Sequence, residues 1–594
     1  MYELYASKTR ITPLYIHSIH SKNLMMKKKQ IGILILVLTV ISGLIQCTAT
    51  QQQDIKPQLD SYIKQQVDHQ SVALNKDHKP GLSVIITKKD SILYIGNLGL
   101  ADLNKAMPIT ENTIFDLASV SKQFTGMAIA ILEEKGEIDV NDKVSKYIHD
   151  LPKIMSSITI DQLIHHSSGI RDWPMLMGLK AWQAEDTISM DDIMKILKKQ
   201  ESLNFTPGEE FLYSNSNYNL LAKIIEVATD TTFNSWIHDF IFVPLGMNHT
   251  FLIENNAQIT DIVANSYIYS GHQYLSFSNN LNAPGSSSVR STSSDMSKWM
   301  INFHTQSLGT KDTIHKITQK GKLNSGETMD YGYGLYLTEI NNKSAYVHDG
   351  AWGGYRSGTA FFPEESIGII ILSNNVLLQP KKMINDIADI LFSQKEEKES
   401  ISREIIEKEI NDDFFALCTG KYQQVDDKAC YLTFFKEDDA YFVNVYDRNF
   451  KLYAKSDSVF YTKEANAELV FHLKNGRVNS HSLKQNGKSY LALKVKENKV
   501  GISVDYHKFI GDYYSKELEV KYEIKYENDK LKIQSNVFPV DIILEHSEDF
   551  TFISNSTLIQ SISFLEEEEA INSFLINNTR VKNLLFKKQT NDNE

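Results

Sequence analysis

Residues 108–132 read PITENTIFDLASVSKQFTGMAIAIL. From Phe124 the apolar residues Met127, Ala128, Ile131 and Leu132 recur at spacings of three and four, which predicts a helix with one face in a core. Ser119, Val120, Ser121 and Lys122 open that helix, and two residues three apart share a face. A hydroxyl and an amine so placed can serve as nucleophile and base, provided burial keeps the lysine neutral enough to accept a proton. The spacing alone carries little weight, because Ser61 to Lys64 repeats it on a predicted surface helix.

Outward from this stretch, Leu82 to Thr87 and Ile92 to Ile95, joined through Lys89 and Asp90, predict a β-hairpin. Thr359 to Phe362 and Ile367 to Leu372, joined by Pro363, Glu364 and Glu365, predict a second pair, so one sheet is expected to use both ends of the region. Between them, helical and β-like stretches alternate from about Gly81 to Asn374, an α/β or α+β pattern typical of enzymes. Tyr213, Ser214 and Asn215 precede a helix bearing Leu220, Leu221, Ile224, Ile225 and Ala228, and His348, Asp349 and Gly350 follow the β-like Ser344 to Val347. Thr292 with Asp295 reads as an N-cap pair. His165 and His166 invite a metal site, but no HExxH stretch or acidic cluster accompanies them, and a helix C-terminal turn accounts for the pair. Arg171, Asp172 and Trp173 are candidates for either a pocket mouth or plain surface packing.

The chain has 594 residues, 42% hydrophobic and 23% charged, with 62 basic and 74 acidic side chains and a formal charge of -12. That composition excludes collagen, coiled coil and wholesale disorder, and it leaves no global positive field for a nucleic acid. Three cysteines exclude a disulfide scaffold and a four-cysteine zinc site. Lys27, Lys28 and Lys29 precede an uncharged run from Ile31 to Ile45, shorter than the roughly 18 residues that span a bilayer. Residues 25–49 are therefore expected to be an export signal, with 1–24 an extension ahead of the natural starts Met25 and Met26. The folded part is then expected in the periplasm or envelope of a bacterium. Cleavage after Ala49 and lipid attachment at Cys47 are both open, the latter because Leu44 to Cys47 resembles a bacterial lipobox except at Gln46. Cys418 and Cys430 could pair outside the cytoplasm or remain two buried thiols.

A domain spanning 50–393 gives way to a charge-dense linker, 394–411, and then to short alternating β runs. Gly420, Tyr422, Tyr431, Asp438 and Phe442 match Gly511, Tyr513, Tyr522, Asp529 and Ile533 at an offset of 91 positions, and Ser456 and Phe460 face Ser547 and Thr551. Two copies of one all-β module are expected, 412–502 and 503–594, each long enough for a sheet or a small eight-strand barrel.

The SxxK, YxN and HxG stretches, in that order, resemble those of the serine β-lactamase and penicillin-binding-protein superfamily, and within it the class C β-lactamase-related serine hydrolases. The resemblance extends over ITIDQLIHHSSGI (158–170), FTPGEEFLYSNSNYNLLAKIIE (205–226), RSTSSDMSKWM (290–300) and FFPEESIGIIILSNN (361–375), covering about residues 55 to 390. It implies the α+β transpeptidase-like fold, an antiparallel sheet flanked by a helical part. It implies that Ser119 forms the acyl-enzyme, that Lys122 takes its proton, and that Tyr213 relays protons to the leaving group and later from water. Asn215 would bind the substrate amide or hold Lys122, and the N–H groups of Ser119 and Ala351 would form the oxyanion hole. Gly350 would leave room for substrate, and His348, in place of the lysine of KTG, would face a substrate carboxylate or assist Tyr213. No metal or organic cofactor is implied. The expected substrate is a small molecule or peptide: an ester, an amide, a D-amino-acid peptide or a β-lactam. A non-catalytic sensor or envelope-binding protein on the same fold is the alternative.

Overall fold

The computed structural model describes residues 55–68, 78–180, 182, 186–252, 263–270, 273–392, 408–425, 430–445, 448–462, 467–474, 476–485, 488–495, 504–554 and 556–589. The export segment with Cys47 and Ala49, and residues 394–407 of the charged stretch, lie outside them.

Six strands, β1 (Leu82–Lys88), β2 (Ser91–Leu98), β3 (Tyr336–Ile340), β4 (Lys343–Trp352), β5 (Tyr355–Phe362) and β6 (Ile367–Ser373), form an antiparallel sheet in the order β3-β4-β5-β6-β1-β2. Both expected strand pairs are present, and the two ends of the region meet where β1 pairs with β6, Val84 opposite Ile371. Side chains alternate between the faces of a strand. Val84, Ile86, Ile369 and Ile371 accordingly pack with Leu59, Ile63 and the helix Pro380–Phe392 on one side, while Ile85, Ile370 and Leu372 join the main core on the other. With both faces covered, these strands read as unbroken apolar runs. Ser61 and Lys64 sit on the solvent side of the helix over residues 55–68.

The helical part centres on α1 (Lys122–Glu134), buried at every position from Lys122 to Leu132, with α2 (Asn215–Thr229) and α3 (Ser293–Thr305) beside it. Thr292 caps α3, accepting from the Asp295 N–H. Gln123 ties helix, helix and sheet together: its Oε1 accepts from Trp299 Nε1 at 2.7 Å and its Nε2 donates to Thr359 Oγ1 at 2.7 Å. The fold is the expected α+β one.

Two all-β modules follow. In the second, eight strands from Gly511–Ser515 to Leu584–Lys588 close into a barrel. In the first, the two ends of a nine-stranded sheet, Arg448–Lys451 and Tyr453–Ser456, are separated in sequence by Leu452 alone, so the chain itself bridges the gap that the barrel closes. The repeat shows in detail. Gly420 and Gly511 open the modules at φ of 119° and 145°, backbone that favours glycine, and Lys494 and Lys588 lie over the rings of Tyr422 and Tyr513 at 5.5 and 5.7 Å. The matches after the first strand slip by one. Gly420 pairs with Phe434 but Gly511 with Ile524, so Leu432, not Tyr431, stands where Tyr522 does, and Val443, not Phe442, where Ile533 does. Cys418 and Cys430 are separate buried thiols.

Candidate active site

Asp116, at the end of strand Ile114–Asp116, is buried, and its Oδ1 accepts the Ala118 N–H at 2.7 Å while Oδ2 accepts from Asn279 at 2.6 Å. This holds Ala118 at a φ of 46°, a left-handed conformation that costs a non-glycine residue roughly 1–2 kcal/mol. The turn ends at Ser119. The sequence predicts that Ser119 opens the α-helix; instead Ala118–Ser121 is a 3₁₀ turn and the α-helix begins at Lys122. With about three residues per turn, positions i and i+3 eclipse, and Lys122 Nζ lies 3.4 Å from Ser119 Oγ.

Lys122 is fully buried, which pushes its pKa well below that of a free lysine; Asp172 opposes this and Arg580 reinforces it. Its Nζ donates to Asn215 Oδ1 and to the Ser286 carbonyl, both at 2.7 Å. Neither oxygen can donate in return. A neutral amine has two N–H bonds and one lone pair. Both bonds are taken, so the lone pair is left for the Ser119 hydroxyl. Asn215 is itself fixed, because its backbone N–H and Nδ2 both donate to Asp172 Oδ1, at 2.7 and 3.0 Å.

The Tyr213 hydroxyl is buried without a hydrogen-bond partner. Burial first, and then the neighbouring Tyr336, raise its pKa well above normal, outweighing the nearby Ser119 hydroxyl and Arg580, so the phenol keeps its proton. His165 caps the helix Ile160–Ile164, as its sequence suggests, but His166 has a second position in the site. Its ring lies 4.4 Å from that of Tyr213, and its Nδ1 accepts the Ser214 N–H at 3.2 Å, fixing the backbone that carries the phenol.

His348 Nδ1 lies 2.7 Å from the carbonyl of Asp349 and must donate to it. In the neutral ring Nε2 is then the acceptor, and it takes the Tyr331 hydroxyl at 3.2 Å. Burial lowers the pKa of His348 to about 4. Both nitrogens are engaged in this structure and the ring is uncharged near neutrality. His348 is a wall of the pocket.

At Gly350 a Cβ would lie 2.4 Å from the Leu117 carbonyl and from Ser357 Oγ, and 3.0 Å from the Ser119 nitrogen. The missing side chain makes room for the nucleophile's own backbone. Ser357 Oγ donates to that same carbonyl at 2.6 Å, which leaves nothing free to yield. Gly350→Ala is expected to push β4 away from the Ser119 turn and lower the acylation rate by about 10²-fold, the cost of roughly an ångström of misplacement. A rate within threefold of wild type, measured by ester burst kinetics, would show that the strand can shift without disturbing the site.

A cavity of about 260 Å³ opens on these groups, and Ser119, Tyr213, Asn215, His348 and Ala351 all line it. Trp173 lines it too, whereas Arg171 and Asp172 are buried behind it. Three contributors carry no motif in the sequence. The Ser286 carbonyl acts through its backbone, Tyr336 is a lone aromatic in a strand, and Arg580 arrives from the second β module.

A family model described as Beta-lactamase matches residues 59–391. Penicillin-binding protein 4* of Bacillus subtilis is 28% identical over 448 residues, covering 71% of this chain and 97% of that relative. Protein flp of Staphylococcus aureus is 28% identical over 337 residues, 54% of this chain and 63% of that protein, under two thirds of its length. Among solved structures, the octameric penicillin-binding protein homologue from Pyrococcus abyssi superimposes with a TM-score of 0.54 at 21% identity, covering 73% of this chain and 99% of its own, a likeness of fold. Since the family match spans more than half of the sequence and includes every residue quoted from the SxxK, YxN and HxG stretches, this chain belongs to the beta-lactamase family.

Proposed function

We propose that the chain is an exported acyl-serine hydrolase working at a bacterial envelope, acting on an ester, an amide, a D-amino-acid peptide or a β-lactam. The observation that carries the chemistry is the placement of the buried Lys122 Nζ 3.4 Å from Ser119 Oγ, with Asn215 Oδ1 and the Ser286 carbonyl at 2.7 Å to take the two N–H bonds of the neutral amine. Its lone pair takes the Ser119 proton as Oγ bonds to the acyl carbon, and the displaced carbonyl electrons settle on oxygen facing the Ser119 and Ala351 N–H groups. Each such donor is worth about 3–4 kcal/mol in the transition state. When the tetrahedral adduct collapses, the leaving group takes the proton of Tyr213, which Lys122 then replaces. Water adds to the acyl-enzyme by the same route, Oγ regains its proton, and the acid departs. Export rests on the Lys27–Lys29 cluster and the apolar run after it, and Cys47 offers a lipid anchor if it is the processing site.

The test is intact-protein mass spectrometry of residues 50–594 incubated separately with a penicillin, a p-nitrophenyl ester and a D-Ala-D-Ala peptide. An added acyl mass, or turnover, with at least one compound and its loss in Ser119→Ala is expected. No adduct and no turnover with any of them would favour a non-catalytic binding protein instead.

A further inference from the structure

The turn between strands Ala570–Asn577 and Leu584–Lys588 of the C-terminal barrel lies against the catalytic domain. Its backbone is clamped just after the Arg580 Cα: Asn204 Nδ2 donates to the Arg580 carbonyl at 3.0 Å, and Asn204 Oδ1 accepts the Lys582 N–H at 2.7 Å. The Arg580 side chain then enters the active-site cavity, its guanidinium carbon 4.8 Å from the centre of the Tyr213 ring. Nη1 donates to Asp172 Oδ2 at 3.0 Å, and Asp172 holds Asn215, which holds Lys122.

The ion pair is one-sided. The side chain of Asp172 is 0% exposed and that of Arg580 is 36% exposed, so the carboxylate lies behind and the guanidinium in front. Among the described residues Nη1 alone of its three nitrogens has a hydrogen-bond partner, and a guanidinium has five N–H donors in a planar fork suited to carboxylates. The other cationic candidates near the serine are excluded by their surroundings. Lys122 is buried behind the cavity wall with its two donors spent, and His348 is a neutral ring with both nitrogens bonded. Asp349 is the other ionic side chain lining the cavity.

We infer that Arg580 is a specificity-determining residue of the catalytic pocket, through which the C-terminal barrel docks a carboxylate carried by the acyl substrate. This rests on the serine-hydrolase reading above and adds to it both a substrate class, anionic acyl compounds, and a role for the second module. The substrate carboxylate takes the open Nε and Nη2 edge, while Asp172 keeps Nη1 and prevents the guanidinium from folding over the serine.

Boronic acids test this without turnover, since boron accepts the Ser119 oxygen reversibly. Dissociation constants of phenylboronic acid and of its 3- and 4-carboxyl derivatives are compared for the full chain, Arg580→Gln, Arg580→Lys and Ser119→Ala, at the pH of maximal ester turnover. Wild type is expected to favour at least one carboxylated probe over the parent by tenfold or more, Arg580→Gln to lose most of that ratio, and Arg580→Lys to recover part of it. A ratio unchanged in Arg580→Gln, whether or not both affinities fall together, would overturn the inference and leave Arg580 as a support for Asp172 and Tyr213. Equal affinities for all three probes in wild type would overturn it as well. Failure of every probe to bind wild type, or binding undiminished in Ser119→Ala, would instead overturn the serine-hydrolase reading. Thermal melts of each variant identify any loss that comes from unfolding.

Discussion

Lys122→Met is expected to slow acylation by on the order of 10²- to 10⁴-fold, the range for removing a general acid–base group. Methionine fills nearly the same volume, so the fully buried position keeps its packing. Asn215 Oδ1 and the Ser286 carbonyl each lose a donor, at about 1–3 kcal/mol apiece if left dry. Asn215 and Ser286 line the cavity, however, so water can reach them and the fall in stability is expected to stay within about 2 kcal/mol. Lys122→Arg should be as inactive as Lys122→Met despite its donors, because a guanidinium does not give up its proton to become a base. Stopped-flow acylation by a p-nitrophenyl ester, alongside a thermal melt, reads both quantities. Wild-type rates in either variant would remove Lys122 from the mechanism.

The same environment sets the pH dependence. Burial lowers the pKa of the lysine and raises that of the phenol, which favours a neutral amine and a neutral phenol, a base and an acid in the states the first step needs. Activity should be lost as pH falls through the depressed pKa of Lys122, because protonation consumes the lone pair. His348, with its pKa lowered to about 4 by burial, is uncharged near neutrality.

Much of this site was legible because its parts are local. Ser119 and Lys122 are three residues apart, Tyr213 and Asn215 two apart, and the sheet announces itself through Val84 to Ile86 and Ile369 to Leu372. Contributions that depend on long-range closure or on backbone atoms were not legible. The Ser286 carbonyl has no side-chain signature, and Gly350 could be read as making room without saying for what. His348 is bonded to Tyr331 and to its own strand's carbonyl, partners no spacing predicts. Arg580 is 408 positions from Asp172, in a segment whose sequence announces only a β repeat. The one-residue slip between the modules was hidden for a related reason. Turns absorb insertions while the paired strands keep their register, so a constant offset fails after the first strand.

Arg171→Ala is expected to weaken the docking of the barrel by about 3–5 kcal/mol, the usual cost of removing one partner of a buried ion pair. Arg171 and Glu517 are 0% and 4% exposed and 2.6 Å apart across the interface. The remaining donors of Arg171 serve Gln200 and Ser202 on its own side and the carbonyls of Lys582 and Asn583 in the very turn that carries Arg580. Alanine leaves the Glu517 carboxylate buried with the Glu201 N–H and no counter-ion. What then holds the barrel is the Asn204 clamp on the 580–582 backbone, the Arg580–Asp172 ion pair, the Tyr522 hydroxyl on the Leu179 carbonyl, the packing of Leu558 on Gly178 and a rim of exposed lysine pairs, the last of which contribute little in water. The barrel's eight strands close on themselves, so it should separate as a folded unit, seen as a second transition in calorimetry and as new protease sensitivity in the 200–204 segment. Arg580 would leave the cavity with it, and any carboxylate preference should fall in parallel. Pairing Arg171→Met with Glu517→Leu removes the orphaned charge together with its partner and should recover most of the lost stability without recovering the hydrogen bonds to the 582–583 carbonyls. Arg580 would then be docked but looser, and the double variant should melt like wild type while discriminating carboxylates less well. A single unshifted transition in Arg171→Ala would mean that the remaining polar and apolar contacts hold the barrel in place and that the buried Arg171–Glu517 pair sets only its orientation.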